Sequence, residues 1–181
     1  TSTEENYFKD KRVLITAGPT VEIIDPVRFV SNRASGKMGY AIAEALVSLG
    51  AKVTLVSGPT TLDVPNGVDF VSVTTADEMF HAVVERYETQ DIIFKSAAVS
   101  DYTPVTPLPH KMKKQDGNVT VEFKRTQDIL KYLGDHKTTQ KLVGFAAETQ
   151  NVAHYAKEKL KNKNADVIIA NNVGDQSIGF S

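Results

Sequence analysis

The sequence contains no cysteine. That excludes a disulfide framework, a thiolate nucleophile and a cysteine metal site, and leaves the redox compartment undecided. It also lacks any apolar run near the ~18 residues a membrane span needs. There is no charged-then-apolar leader, so neither a span nor a secretory signal is expected and a cytoplasmic location fits. An excess of one charge is missing too: the formal net charge is −1, which disfavours a nucleic-acid partner and leaves any polyanion to local lysine clusters. His81, His110, His136 and His154 show no metal-ligand spacing. What is present is ordinary for a globular chain, 181 residues with 41% hydrophobic and 24% charged content, enough for one domain with a sizeable core. A chain opening on Thr1 and closing in the glycine-containing stretch before Ser181 reads as a piece of a longer one, short at its C-terminus.

Residues 1–10 are polar and unpatterned, which reads as a tail ahead of a single domain over 11–181. Short apolar runs recur at Arg12–Ala17, Lys52–Ser57, Val68–Val73, Asp91–Ala97, Leu142–Ala146 and Asp166–Ala170, the first two closed by Gly-Pro. Helical periodicity falls between them. Met38, Ala41, Ile42, Ala45, Leu46 and Leu49 make one face of a helix that Gly50 ends. Ala76 to about Gln90, with Thr75 as N-cap, Gln127–His136 and Asn151–Lys163 give three more helices, and Val119–Phe123 alternates like a short strand. Alternation of continuous apolar strands with helices predicts an α/β fold, a Rossmann-like three-layer sandwich with a mostly parallel sheet.

The most distinctive stretch is Ser31–Gly39, S-N-R-A-S-G-K-M-G, at the start of the first helix, where backbone N–H groups and the dipole favour an anion. It is not a Walker loop, because Ser31 stands where the first glycine belongs and Met38 follows Lys37. Nor is it a dinucleotide fingerprint: it comes too late after the first strand, and the second strand ends Ser57-Gly58 without the ribose-binding acid. Tyr155-x-x-x-Lys159 would suit a short-chain reductase but lies late in the chain with no suitably placed serine. The plainest account of Ser31–Gly39 is a helix start capped by Ser35, with glycines for close packing. Asn32 and Arg28 nonetheless lie outside the carboxyl end of the first strand, where open α/β sheets bind ligands.

Lys111, Lys113 and Lys114 occupy a proline-bounded loop that could equally be a solvated surface. At about 100° per residue, Lys159 and Lys163 fall on the stripe of Val152, Tyr155 and Ala156, whereas Lys157 and Lys161 point away. Inward lysines are costly unless they snorkel or meet an anion. An ordinary crossover would, however, put that end of the helix at the wrong edge of the sheet. Asp101 suits a carboxylate holding a ribose or a metal–phosphate, or a plain turn, and Phe145 suits the core or a stacked base.

Taken together, A-G-P-T from Ala17, E-x-x-D-P-V-R from Glu22 to Arg28, S-N-R-A-S-G-K-M-G, A-A-V-S-D from Ala97 to Asp101, K-M-K-K from Lys111 and G-F-A-A-E-T from Gly144 resemble the phosphopantothenoylcysteine synthetase family, in order, across about residues 12–180. The resemblance implies a ligase of coenzyme A biosynthesis. CTP activates the 4′-phosphopantothenate carboxylate as an acyl-cytidylate, and the amine of L-cysteine then displaces CMP. It implies Arg28, Asn32, Ser35, Gly36 and Ala98 on the acyl side, and Ala97, Asp101, Lys111, Phe145, Lys159 and Lys163 at the nucleotide. Asn32 and Lys111 are the catalytic candidates, with Lys111 closing over the triphosphate. Mg²⁺ would ride on the triphosphate with no protein metal site. A homodimer is implied, and no flavin, since the flavin-dependent half that often precedes such domains is not in this chain. The G-F-A-A-E-T version resembles the bacterial CTP-using branch, relatives of which use ATP. The competing reading is a nicotinamide-binding oxidoreductase or a non-catalytic nucleotide-binding domain.

Overall fold

A computed structural model describes residues 7–172. The expected C-terminal shortening, and residues 1–6 of the expected tail, lie outside that range. Within it, ten strands and four helices run in the order β1 (Arg12–Ala17), β2 (Val21–Ile23), β3 (Phe29–Ser31), α1 (Lys37–Ser48), β4 (Lys52–Ser57), β5 (Asp69–Ser72), α2 (Ala76–Val84), β6 (Ile92–Lys95), β7 (Tyr102–Pro104), β8 (Phe123–Arg125), α3 (Ile129–His136), β9 (Lys141–Glu148), α4 (Val152–Asn162) and β10 (Val167–Asn172). Six of the strands form one parallel sheet in the order β10-β9-β6-β1-β4-β5. Counting only those six strands, this is the 3-2-1-4-5-6 order of a doubly wound sheet, whose direction of winding reverses between β1 and β6. The expected fold class is what the chain adopts.

The core follows from the period of two along buried strands. On β1, Leu14 joins a cluster with Met79 and Val83 of α2 and Leu133 of α3, while Val13, Ile15 and Ala17 join one with Tyr40, Ala43 and Leu46 of α1. Helices therefore cover both faces, which is why β1 is buried from Val13 onward. Thr75 caps α2 through a reciprocal capping box with Glu78, as its sequence predicts.

Four expectations need correcting. The buried face of α1 is Gly39, Tyr40, Ala43 and Leu46, so Met38, Ala41 and Ala45 face outward. Counting apolar residues could not see that Gly39 packs so tightly that a Cβ there would lie 2.5 Å from that of Ala17. It also undervalued Tyr40, whose hydroxyl meets Ser57 Oγ at 2.8 Å. The N-cap of α1 is Gly36 at φ 85°, a left-handed conformation suited to glycine, rather than Ser35; the Ser35 hydroxyl accepts from the Lys37 N–H at 3.2 Å. The short strand expected at Val119–Phe123 begins at Phe123, because its register is set by antiparallel pairing with the distant β7. Finally, Phe8, in the stretch read as a tail, packs against the α1-side cluster.

Candidate functional site

β1 and β6 end side by side at the winding reversal, and the segments that follow start out in parallel, bridged at Pro19 and Ala98. The segment after β1 folds into the β2–β3 hairpin and returns through Asn32–Gly36 into α1. The segment after β6 crosses close beside it: Ala98 N donates to Gly18 O at 2.9 Å, and Ala98 O accepts from Thr20 N at 3.2 Å. Between them opens a cleft of about 720 Å³, a size suited to a small-molecule ligand. Asn32, Ser35, Gly36, Ala97, Ala98, Asp101, Phe145 and Lys159 all line it. Asn32 is fixed at its rim by an Nδ2 hydrogen bond to Ala98 O at 2.9 Å, which joins two residues that only the resemblance had placed together.

The opposite wall is cationic. Lys159 reaches from α4 to Phe145 O, and Lys163 pairs with Asp128, which also caps α3 by accepting from Lys131 N at 3.0 Å. A recess lined by Lys95, Asp101, Asp128, Lys159 and Lys163 adjoins the cleft and shares Lys95, Asp101 and Lys159 with it. The wrong-edge difficulty disappears in the strand register. β6 stops where Lys95 pairs with Gly144, but β9 continues through residues 145–148, with β10 beside it to the end. That overhang, about 13 Å at roughly 3.3 Å per residue, raises the point from which the chain turns into α4, and Lys159 in the last turn of that helix lines the cleft.

Lys95 is the residue the sequence reading missed. It sits at the end of a strand read only for its apolar residues, and its Nζ donates to Ala97 O at 2.9 Å. Burial and then the neighbouring Lys159 lower its pKa to about 8, against the opposing pull of Asp128 and Asp101. Burial and Lys163 likewise lower that of Lys159. The available signal was chemical: a lysine in an apolar parallel strand is expensive unless it emerges at a site. Asp128 was missed because N-cap aspartates are common, and nothing local reveals its partner 35 residues away.

Three predicted residues do not line the cleft. Arg28 donates from Nη1 to Asp25 Oδ2 at 2.9 Å and to Met112 O at 3.2 Å. Lys111 lies on the loop beside Met112, whose N–H is held by Asp25. Lys163 lines only the recess. For Asp25, burial would raise the carboxyl pKa, but hydrogen bonds from the backbone of Met112, Arg28 and Val27 and from the Arg28 side chain hold it well below its ordinary value. Tyr155, required by the reductase reading, is exposed and does not line the cleft. Among the described residues no group of three His, Asp or Glu side chains could hold a metal ion, and no helix is long and apolar enough to cross a membrane.

Fold and cleft together define an α/β domain of doubly wound strand order, with a glycine-rich wall facing a lysine wall at the switch point. More particularly, residues 8–181 match the family described as DNA/pantothenate metabolism flavoprotein C-terminal domain, and the chain belongs to that family. It is 58% identical over 174 residues to a coenzyme A biosynthesis bifunctional protein CoaBC of Bacillus subtilis, covering 96% of this chain and 43% of that protein. It is 45% identical over 177 residues to the protein of the same description from Vibrio vulnificus, covering 96% and 44%. The chain thus spans less than half the length of these relatives. Its structure resembles that of the C-terminal domain of a coenzyme A biosynthesis bifunctional protein CoaBC, with a TM-score of 0.83 and 52% identity over 93% of this chain and 80% of that one.

Proposed function

We propose that this domain is a phosphopantothenate–cysteine ligase, joining 4′-phosphopantothenate to L-cysteine at the expense of CTP in the cytoplasm. The observation that carries the reading is the cleft with two chemically different walls, in a chain so similar to CoaBC proteins. A carboxylate is a poor electrophile. Attack by the phosphopantothenate carboxylate on the α-phosphate of CTP forms a mixed anhydride and expels pyrophosphate. The cysteine amine then attacks the acyl carbon, and CMP leaves with the bonding pair. Such chemistry asks mainly for positioning and for stabilisation of phosphate oxygens, not for a nucleophilic side chain.

The walls divide this work. The amides of Ser35–Gly36 and the side chain of Asn32 face the acyl substrate, with Asn32 orienting the acyl carbonyl beside Ala98. Ala97, Asp101 and Phe145 hold the nucleoside, while Lys95, Lys159 and Lys163 oppose the triphosphate charge. An incoming triphosphate favours the protonated forms of Lys95 and Lys159, which burial and their like-charged neighbours disfavour in the free protein. Mg²⁺ enters as part of the CTP complex. Lys111 acts from the loop between β7 and β8, and Arg28 from the β2–β3 hairpin to which that loop is tied.

Exposed apolar side chains support a homodimer: Val27, Phe29 and Val30 on the first hairpin and Tyr102, Val105, Leu108 and Phe123 around the second gather in one region. The test is pyrophosphate release, measured with CTP and with ATP. Release that requires both phosphopantothenate and Mg²⁺ and prefers CTP is expected. Release independent of phosphopantothenate would refute the ligase reading.

A further inference from the structure

Asp25 has no solvent-exposed side-chain surface, yet it lies in a hairpin turn that is otherwise largely exposed. Its two oxygens have separate partners. Oδ1 accepts from the backbone of its own turn, Val27 N at 2.8 Å and Arg28 N at 2.7 Å. Oδ2 reaches outward, to Arg28 Nη1 at 2.9 Å and to Met112 N at 3.0 Å, 87 residues along the chain. Arg28 closes the ring by donating from Nη1 to Met112 O at 3.2 Å. A second tie lies beside it, Leu108 N to Ile24 O at 2.9 Å. The loop between β7 and β8 is therefore fastened to the β2–β3 hairpin at Leu108 and at Met112, and Met112 immediately follows Lys111.

We propose that Asp25 is a positioning residue: its carboxylate clasps Met112 and Arg28 together, and so fixes where the lysine-bearing loop and the arginine are presented to the cleft. The functional half of this inference rests on the ligase reading; the clasp itself does not. The division between the oxygens makes the point testable. Asn in place of Asp keeps one carbonyl oxygen for Val27 N and Arg28 N, so the turn survives. Its NH₂ group then faces two donors, Met112 N–H and Arg28, neither of which can accept from it. Asp25→Asn should release the loop and leave the hairpin.

The experiment reads the loop directly. Lys113 and Lys114 are trypsin sites next to the clasp, and cleavage there should accelerate about tenfold in Asp25→Asn with cleavage elsewhere unchanged. Met112→Pro removes the loop-side donor while leaving Asp25 intact, and should give the same acceleration; it decides the matter should Asp25→Asn fail to fold. In the CTP- and phosphopantothenate-dependent pyrophosphate assay, Asp25→Asn should lose about tenfold in kcat, and added to Lys111→Gln it should cost clearly less than that, the remainder being the share that acts through Arg28. Unchanged cleavage at Lys113 and Lys114 in the folded variants overturns the clasp, and so does cleavage that rises equally across the chain. Multiplicative losses in the double variant overturn the positioning role. A wild-type domain inactive in the assay would count against the ligase reading, while the cleavage rates would still decide the clasp.

Discussion

The two walls of the cleft are built on opposite principles. On the Ser31–Gly39 side, shape comes from the backbone: a left-handed Gly36 starts α1, and Gly39 lies against Ala17 and Ser96 with no room for a methyl group. On the other side, charge comes from long side chains on β6 and α4, each held by a single carbonyl or carboxylate. The first wall tolerates almost no change in volume. The second tolerates change in shape but not in charge. The proposed ligation, which must fix one acyl carbon and neutralise several phosphate oxygens, would use both kinds.

That contrast can be broken by substitution, beginning where the effect is largest. Asn32→Asp replaces the donor to Ala98 O by an acceptor and puts a negative charge beside the acyl carbonyl. Single-turnover ligation should slow about a hundredfold, or about 2.7 kcal/mol, with phosphopantothenate binding much less affected. Gly39→Ala drives a Cβ to within 2.6 Å of Ser96 Oγ. Overpacking of this kind costs about 2 kcal/mol, so the unfolding midpoint should fall by roughly 4–8 °C, even though alanine is the better helix former. Lys159→Gln should raise the KM for CTP about tenfold, or about 1.4 kcal/mol, with kcat changed less and the salt dependence of KM reduced. Equal losses of kcat and KM at Asn32 and Lys159 would show that the walls are not distinct.

The smallest effect should come from Lys95→Met, a roughly threefold rise in the KM for CTP together with a change in the pH dependence of stability. Lys95 binds its proton less tightly in the folded protein, with a pKa of about 8 against an ordinary 10.5. Between those values the unfolded chain holds more protons, so wild-type stability should rise with pH, by at most about 1.4 kcal/mol per unit. Denaturant midpoints measured from pH 7.5 to 10.5 should show that rise in the wild type and a flatter profile in Lys95→Met.

The same contrast explains what could be read from the sequence. Parallel strands buried on both faces are written as continuous apolar runs, so β1, β4 and β6, and with them the fold class, were legible. Helix phase was less so: α1 buries a glycine and a tyrosine, residues whose burial rests on contact with Ala17 and a hydrogen bond to Ser57 rather than on hydrophobicity. At the site, motif order pointed to Asn32, Ala98 and Lys159, and the cleft brings them together. It could not reveal Lys95, masked by apolar neighbours, or Asp25 and Asp128, whose partners Met112 and Lys163 lie far along the chain. Arg28, expected on the acyl side, does not line the cleft and is held by Asp25 and Met112, partners that only the folded chain supplies.

The overhang of β9 and β10 has a further consequence, because it works as a ruler. The height of Lys159 above the cleft floor is counted out in strand residues 145–148, each worth about 3.3 Å. Strand residues alternate faces, so this length changes safely only in steps of two. A paired extension would shift the lysine by one such step of about 7 Å. A domain of this design could therefore be retuned to a longer or shorter polyanion by changing the length of two strands, without altering any residue in contact with the ligand.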